Sequence, residues 1–124
     1  MTKDGKGNLA SPFSTGPGGA NFETRFQAAM VVHMLTGGPA PTLPPWQIAE
    51  IKLQGAYAGF RTDDCIVFAF NETTGQEAKA LFQVKHELNF TESDPILADV
   101  IDKLWADFND PDTFTYGSDS LGIV

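Results

Sequence analysis

An unbroken apolar run, CIVFAF at Cys65–Phe70, constrains this chain more than any other feature. Six apolar residues rich in β-branched and aromatic side chains suit a strand covered on both faces. The turn-like NETTGQ (71–76) follows, and then a second strand-like stretch, AKALFQVKHEL (78–88). So short a connection suits an antiparallel hairpin and leaves no room for a crossover. The rest of the chain has to pack around that pair. In the second stretch Gln83 and Lys85 share one side, and Phe82 and Val84 the other. An amide and an ammonium side by side in a central strand need a reason.

The flanking segments are simpler. Residues 1–19, rich in Gly, Ser and Pro, read as a flexible leader, and 20–124 as one domain. In NFETRFQAAMVVHMLTGGP, Asn21 is suited to an N-cap. Phe22, Phe26, Ala29, Met30 and Met34 recur at helical spacing, and Gly37-Gly38-Pro39 ends the helix. IAEIKLQG alternates, with Ala49, Ile51 and Leu53 on one face and Glu50, Lys52 and Gln54 on the other. That is the pattern of a half-exposed strand. SDPILADVIDKLWADFND reads as a helix capped by Asp94, with Pro95 at its first position. Its stripe is Ile96, Leu97, Val100, Ile101, Leu104 and Phe108; Asp99, Asp102 and Asp107 lie outside it, on a solvated face or one turned toward other subunits or domains, and Trp105 reads as a packing residue. The closing LGIV looks like the start of a strand, without turn or cap, and the chain reads as a fragment of something longer. The order is helix, strand, strand, strand, helix, strand: an α/β or α+β sheet with helices packed on it.

Charge limits the function classes. The net charge is −8, and from Glu87 onward nine acidic residues face one base, Lys103. A chain this acidic is a poor general binder of nucleic acid, which needs clustered Lys and Arg. The single cysteine, Cys65, excludes an internal disulfide and points to a reducing cytoplasm; its apolar strand suits an inert buried thiol. No apolar run approaches a membrane span, and the N-terminus has no secretory signal.

Some polar residues are not required by local structure. Asp63 and Asp64 stand at the mouth of the CIVFAF strand, Gln83 and Lys85 on its neighbour, and Glu23 near the start of the first helix. A hairpin brings Asp64 close to Gln83 and Lys85. Oxygen ligands so placed can hold a hard divalent cation such as Mg²⁺, with Mn²⁺ as a substitute. The cation polarises a phosphodiester, and the lysine orients the attacking water or stabilises charge on the phosphate. Each residue also has an ordinary reading: Lys85 as an edge-strand lysine that blocks aggregation, Asp63 and Asp64 as turn residues, Glu23 as an acid near a helix N-terminus.

The ordered set of Asp63-Asp64, apolar strand, turn and Gln83-Val84-Lys85, with Glu23 on the preceding helix, resembles the PD-(D/E)XK nuclease superfamily, in the variant where glutamine replaces the second acid. GGANFETRFQAAMVV and FQVKHELNFTESDP are similar to the N-terminal double-stranded-DNA nuclease domains of bacterial antiphage proteins, among them CBASS effectors and antiviral STAND NTPases. The resemblance covers roughly 18–124. It implies a restriction-endonuclease-like core, a central mixed sheet flanked by helices in the order α-β-β-β-α-β. It further implies a Mg²⁺-dependent endonuclease acting on double-stranded DNA in bacterial antiviral defence, working with further domains of its polypeptide or as a homo-oligomer. Asp64 would be the main metal carboxylate, with Asp63 competing for that role. Gln83 would be the weaker metal-side residue, Lys85 the catalytic lysine and Glu23 the helical acid, with His86 and Glu87 at the site's edge. Because an amide holds a metal less well than a carboxylate, Glu23 matters more here. The alternative is a nuclease-like fold that is catalytically inactive and serves interaction or oligomerisation.

Overall fold

In a computed structural model the described residues are 17–62 and 64–124, with the side chains of 17–20 excluded. The expected leader, up to residue 16, and Asp63 lie outside them. Helix α1 is Pro17–Thr36, strand β1 Gln47–Leu53, β2 Cys65–Phe70, β3 Glu77–Gln83, helix α2 Pro95–Phe108 and β4 Ser120–Ile123. A single 3-10 turn, Gly55–Ala58, follows β1. The four strands form one mixed sheet in the order β1-β2-β3-β4. The pairs β1–β2 and β2–β3 are antiparallel, and β3–β4 is parallel. The crossover between the parallel strands contains α2. The chain is thus an α/β unit in the order α-β-β-β-α-β.

Asn71 closes the central hairpin. Its side-chain Oδ1 accepts from the N–H of Thr73 (2.9 Å) and Thr74 (3.3 Å), and its backbone N–H donates to Gln76 (2.8 Å). The pairing then runs in register from Phe70↔Glu77 to Cys65↔Phe82. Val67, Cys65, Ala80 and Phe82 line one sheet face and pack with Ile48 and with Met30 of α1. Phe26 of α1 meets Phe82 edge-on at 5.1 Å between ring centres. The other face carries Ile66 and Leu81 packed with Phe60, Phe68 and Leu121.

Four expectations need correction. Helix α1 starts at Pro17, so Asn21 lies inside it rather than capping it. Proline's fixed φ suits a first helical position, and the two glycines after it do not prevent the helix from starting there. Ala29 of α1 is exposed, although Met30 is buried. In β1 the buried residue is Ile48, while Ala49 and Leu53 are exposed. A register irregularity between Ile48 and Glu50 breaks strict alternation and puts Ile48 and Ile51 on one face. In α2, Asp107 is fully buried, whereas Trp105 is 64 % exposed and stacks on Phe108. Asp107 follows Val100 by seven residues and Leu104 by three, so it falls on the inward face. The C-terminus of α1 behaves as expected: Gly37 takes φ +80°, and the Gly38 N–H reaches back to the His33 carbonyl at 2.8 Å, a Schellman closure.

Candidate functional site

The site begins in the loop that delivers Asp64 to β2. Asp107 fixes that loop: its Oδ1 accepts from the Arg61 N–H (2.9 Å) and its Oδ2 from the Thr62 N–H (2.6 Å). The Arg61 guanidinium also pairs with Asp110 at 2.5 Å, which holds the Asp110 carboxyl below the usual range. Thr113 Oγ1 donates to the Asp107 carbonyl at 2.9 Å, tying the end of α2 to the following turn. The two residues before Asp63-Asp64 are thereby anchored to α2.

Asp64 is half-buried and held from two sides. Its Oδ2 accepts from the Val84 N–H at 2.7 Å, and its carbonyl accepts from Gln27 Nε2 at 2.9 Å. The same Gln27 nitrogen lies 3.2 Å from Glu23 Oε2. Glu23 and Gln27 stand one turn apart on α1, where helical geometry makes them neighbours. One amide therefore links the helical acid to the acid at the mouth of β2. Cys65 reports the same proximity: burial pushes its thiol up to about 12, and the charges of Asp64 and Glu23 add to that shift.

On β3 the residues divide. The strand ends at Gln83, short of the expected reach to Leu88. Beyond it the chain still pairs with the last residue: Val124 donates its N–H to the Gln83 carbonyl and accepts from the Lys85 N–H, both at 3.0 Å. Val84, between them, gives its N–H to Asp64 instead. Gln83 is only 2 % exposed, on the same sheet face as Leu81. Lys85 is half-buried and opens onto a cleft of about 390 Å³, which Glu23, Val84, His86, Glu87 and Asp99 also line. A neighbouring cleft of about 270 Å³ is lined by Asn21, Phe22, Arg25 and His86. The His86 ring stands edge-on to Phe22, 5.4 Å between centres.

The structure thus brings Glu23 and Lys85 to one cleft, and Glu23 and Asp64 to one amide. Gln83 lies beneath the surface beside them and does not line the cleft. Among the described residues no group of three or more His, Cys, Asp or Glu stands together as a metal-holding cluster. Gln27 bonds the side chain of Glu23 but the backbone carbonyl of Asp64, so it holds the two residues near each other without joining their carboxylates; both acids carry the oxygen donors that a hard cation of the Mg²⁺ type takes. Sequence reasoning missed Gln27 and Asp107. Gln27 is four residues after Glu23 and was legible as its helical neighbour; Asp107 was legible from its spacing to Val100.

No helix among the described residues is long and apolar enough to cross a membrane. No protein-family model matches the chain, and neither does any curated protein or any solved structure.

Proposed function

We propose that this chain is a metal-dependent endonuclease domain of restriction-endonuclease-like fold. It would hydrolyse phosphodiester bonds of double-stranded DNA in the bacterial cytoplasm, as an effector of antiviral defence. The observation that carries this reading is the link from Glu23 through Gln27 to Asp64, with Asp64 in turn bonded to the backbone between Gln83 and Lys85. The strand order and the single parallel pair, β3–β4, support the same reading.

Glu23 and Asp64 would hold the divalent cation, which when bound polarises the phosphodiester and offsets its charge. Gln27 fixes both acids, by the side-chain oxygen of one and the carbonyl of the other. The Val84 N–H orients Asp64 so that one oxygen is committed to the backbone. Lys85, anchored through its N–H to Val124, presents an ammonium to the cleft, where it can stabilise charge growing on the phosphate. Gln83, buried at the end of β3, is not among the residues that line the cleft. Lys85 shares the cleft with Glu23, Glu87 and Asp99, so an anionic substrate meets more negative than positive charge there. A bound cation would redress that imbalance.

The burial of Gln83 and the net charge of −8 favour a second reading, a catalytically inactive module for interaction with other domains or copies. A divalent-cation titration read by melting temperature separates the two. For a dissociation constant of about 1 mM, 10 mM Mg²⁺ stabilises a binding-competent fold by about 1.4 kcal/mol. The nuclease reading expects such a shift in the wild type and its loss in Asp64→Asn. If neither protein responds to Mg²⁺ or Mn²⁺, the module reading stands in its place.

A further inference from the structure

Six lysines and arginines lie among the described residues: Arg25, Lys52, Arg61, Lys79, Lys85 and Lys103. Four of them are ion-paired within the chain. Lys52 pairs with Glu50, Arg61 with Asp107 and Asp110, Lys79 with Asp119, and Lys103 with Asp99. Arg25 and Lys85 are the two that form no ion pair among the described residues. In a chain of net charge −8, uncompensated cations are the groups most available to an external anion. Each lines a cleft that His86 also helps to line.

The second cleft has a composition suited to a phosphate. Asn21 and Arg25 are one turn apart on α1 and both are exposed, so an amide and a guanidinium project from one helical ridge. A guanidinium offers a planar fork of donors that matches phosphate oxygens. Phe22, between them in sequence, is occupied by the edge-on His86 ring and forms the wall of the cleft. Among the described residues no carboxylate lines this cleft, in contrast to the acid-rich one beside it. The acid-rich cleft suits a cation and the second suits a bare anion.

We propose that Arg25 and Asn21 form a phosphate-binding subsite. It would hold a backbone phosphodiester of the nucleic-acid strand next to the one presented to Lys85. This inference rests on the nuclease reading above, and it adds where the strand runs: from the Lys85 cleft across His86 to the third turn of α1. Binding there fixes the strand's position and carries no base discrimination.

The test uses the whole chain and a fluorescently labelled 20-base-pair DNA duplex, with steady-state cleavage in Mg²⁺ measured over a range of salt. Arg25→Gln is expected to raise KM by about tenfold, leave kcat within about twofold, and reduce the slope of log affinity against log salt by about 1. Arg25→Lys restores most of the salt slope because it keeps the charge. Lys52→Gln, at a half-buried lysine of β1 that is paired with Glu50, serves as the control and changes neither quantity. Unchanged KM and salt slope in Arg25→Gln, with a wild type that cleaves and a Lys85→Ala that does not, overturn the subsite and leave the nuclease reading intact. A wild type that neither binds nor cleaves the duplex overturns both. Since Arg25 is exposed and forms no ion pair among the described residues, loss of folding does not mask the result; an unchanged melting temperature verifies this.

Discussion

A carboxylate with both oxygens committed to consecutive backbone N–H groups is hard to replace, and Asp107 is such a group. It is fully buried, and the Thr62 N–H it accepts from belongs to a residue that is itself buried. Asp107→Ala leaves those donors without partners and is expected to cost about 3 kcal/mol, read as a lower urea midpoint. Asp107→Asn keeps one acceptor oxygen and should cost less. Because the loop leads directly to Asp64, the Ala variant is also expected to weaken any divalent-cation response. At this scale the sequence was only partly legible. Asp64, Lys85 and Glu23 stood out because they are polar residues beside apolar strands and at a helix start. Asp107 was assigned to solvent because aspartates on an acidic helix usually are, although its spacing from Val100 and Leu104 already placed it inward. Gln83 went the other way. Period-two alternation correctly separates it from Phe82, but alternation does not say whether that face is open, and the structure buries it with Leu81.

The elements were most legible where their signals are local. An apolar run, a six-residue turn and a second apolar run specify the β2–β3 hairpin without reference to anything else, and Asp94-Pro95 marks the start of α2 in the same way. The parity of β1 was not legible, because its irregularity near Ala49 arises in pairing with β2. The last strand shows how one small residue serves an element. In the β3–β4 pair Phe82 stands opposite Gly122, and a Cβ built on Gly122 would lie 2.8 Å from the Phe82 ring. That ring cannot easily withdraw, since it is 3 % exposed and packed edge-on against Phe26 of α1. Gly122→Ala is therefore expected to destabilise the fold by about 2 kcal/mol, by forcing atoms into a filled space. Thermal or urea unfolding measures it. The same strand end holds Gln83 and Lys85 through Val124, so loosening β4 should disturb the cleft as well.

At the scale of the whole molecule, charge and topology act together. The parallel β3–β4 pair follows from the helix between the two strands, so the α-β-β-β-α-β order was readable from the arrangement of periodic segments. The net charge of −8 was equally plain, but its distribution was not. Four of the six described cations are ion-paired within the chain, and the remaining two, Lys85 and Arg25, line two clefts that share His86, the Lys85 cleft also holding Glu23. On the proposed nuclease reading, this arrangement would reconcile an acidic chain with a phosphodiester substrate, with affinity concentrated in one place and dependent on a cation. The central claim is that this place is catalytic, and hydrolysis of supercoiled plasmid DNA in Mg²⁺ by the wild-type chain and by Lys85→Ala tests it most directly. The account predicts nicked and linear products from the wild type and a loss of about 10²-fold or more in Lys85→Ala, the size expected when a group stabilising transition-state charge is removed. Equal cleavage by the two proteins, or no cleavage by the wild type, would contradict it.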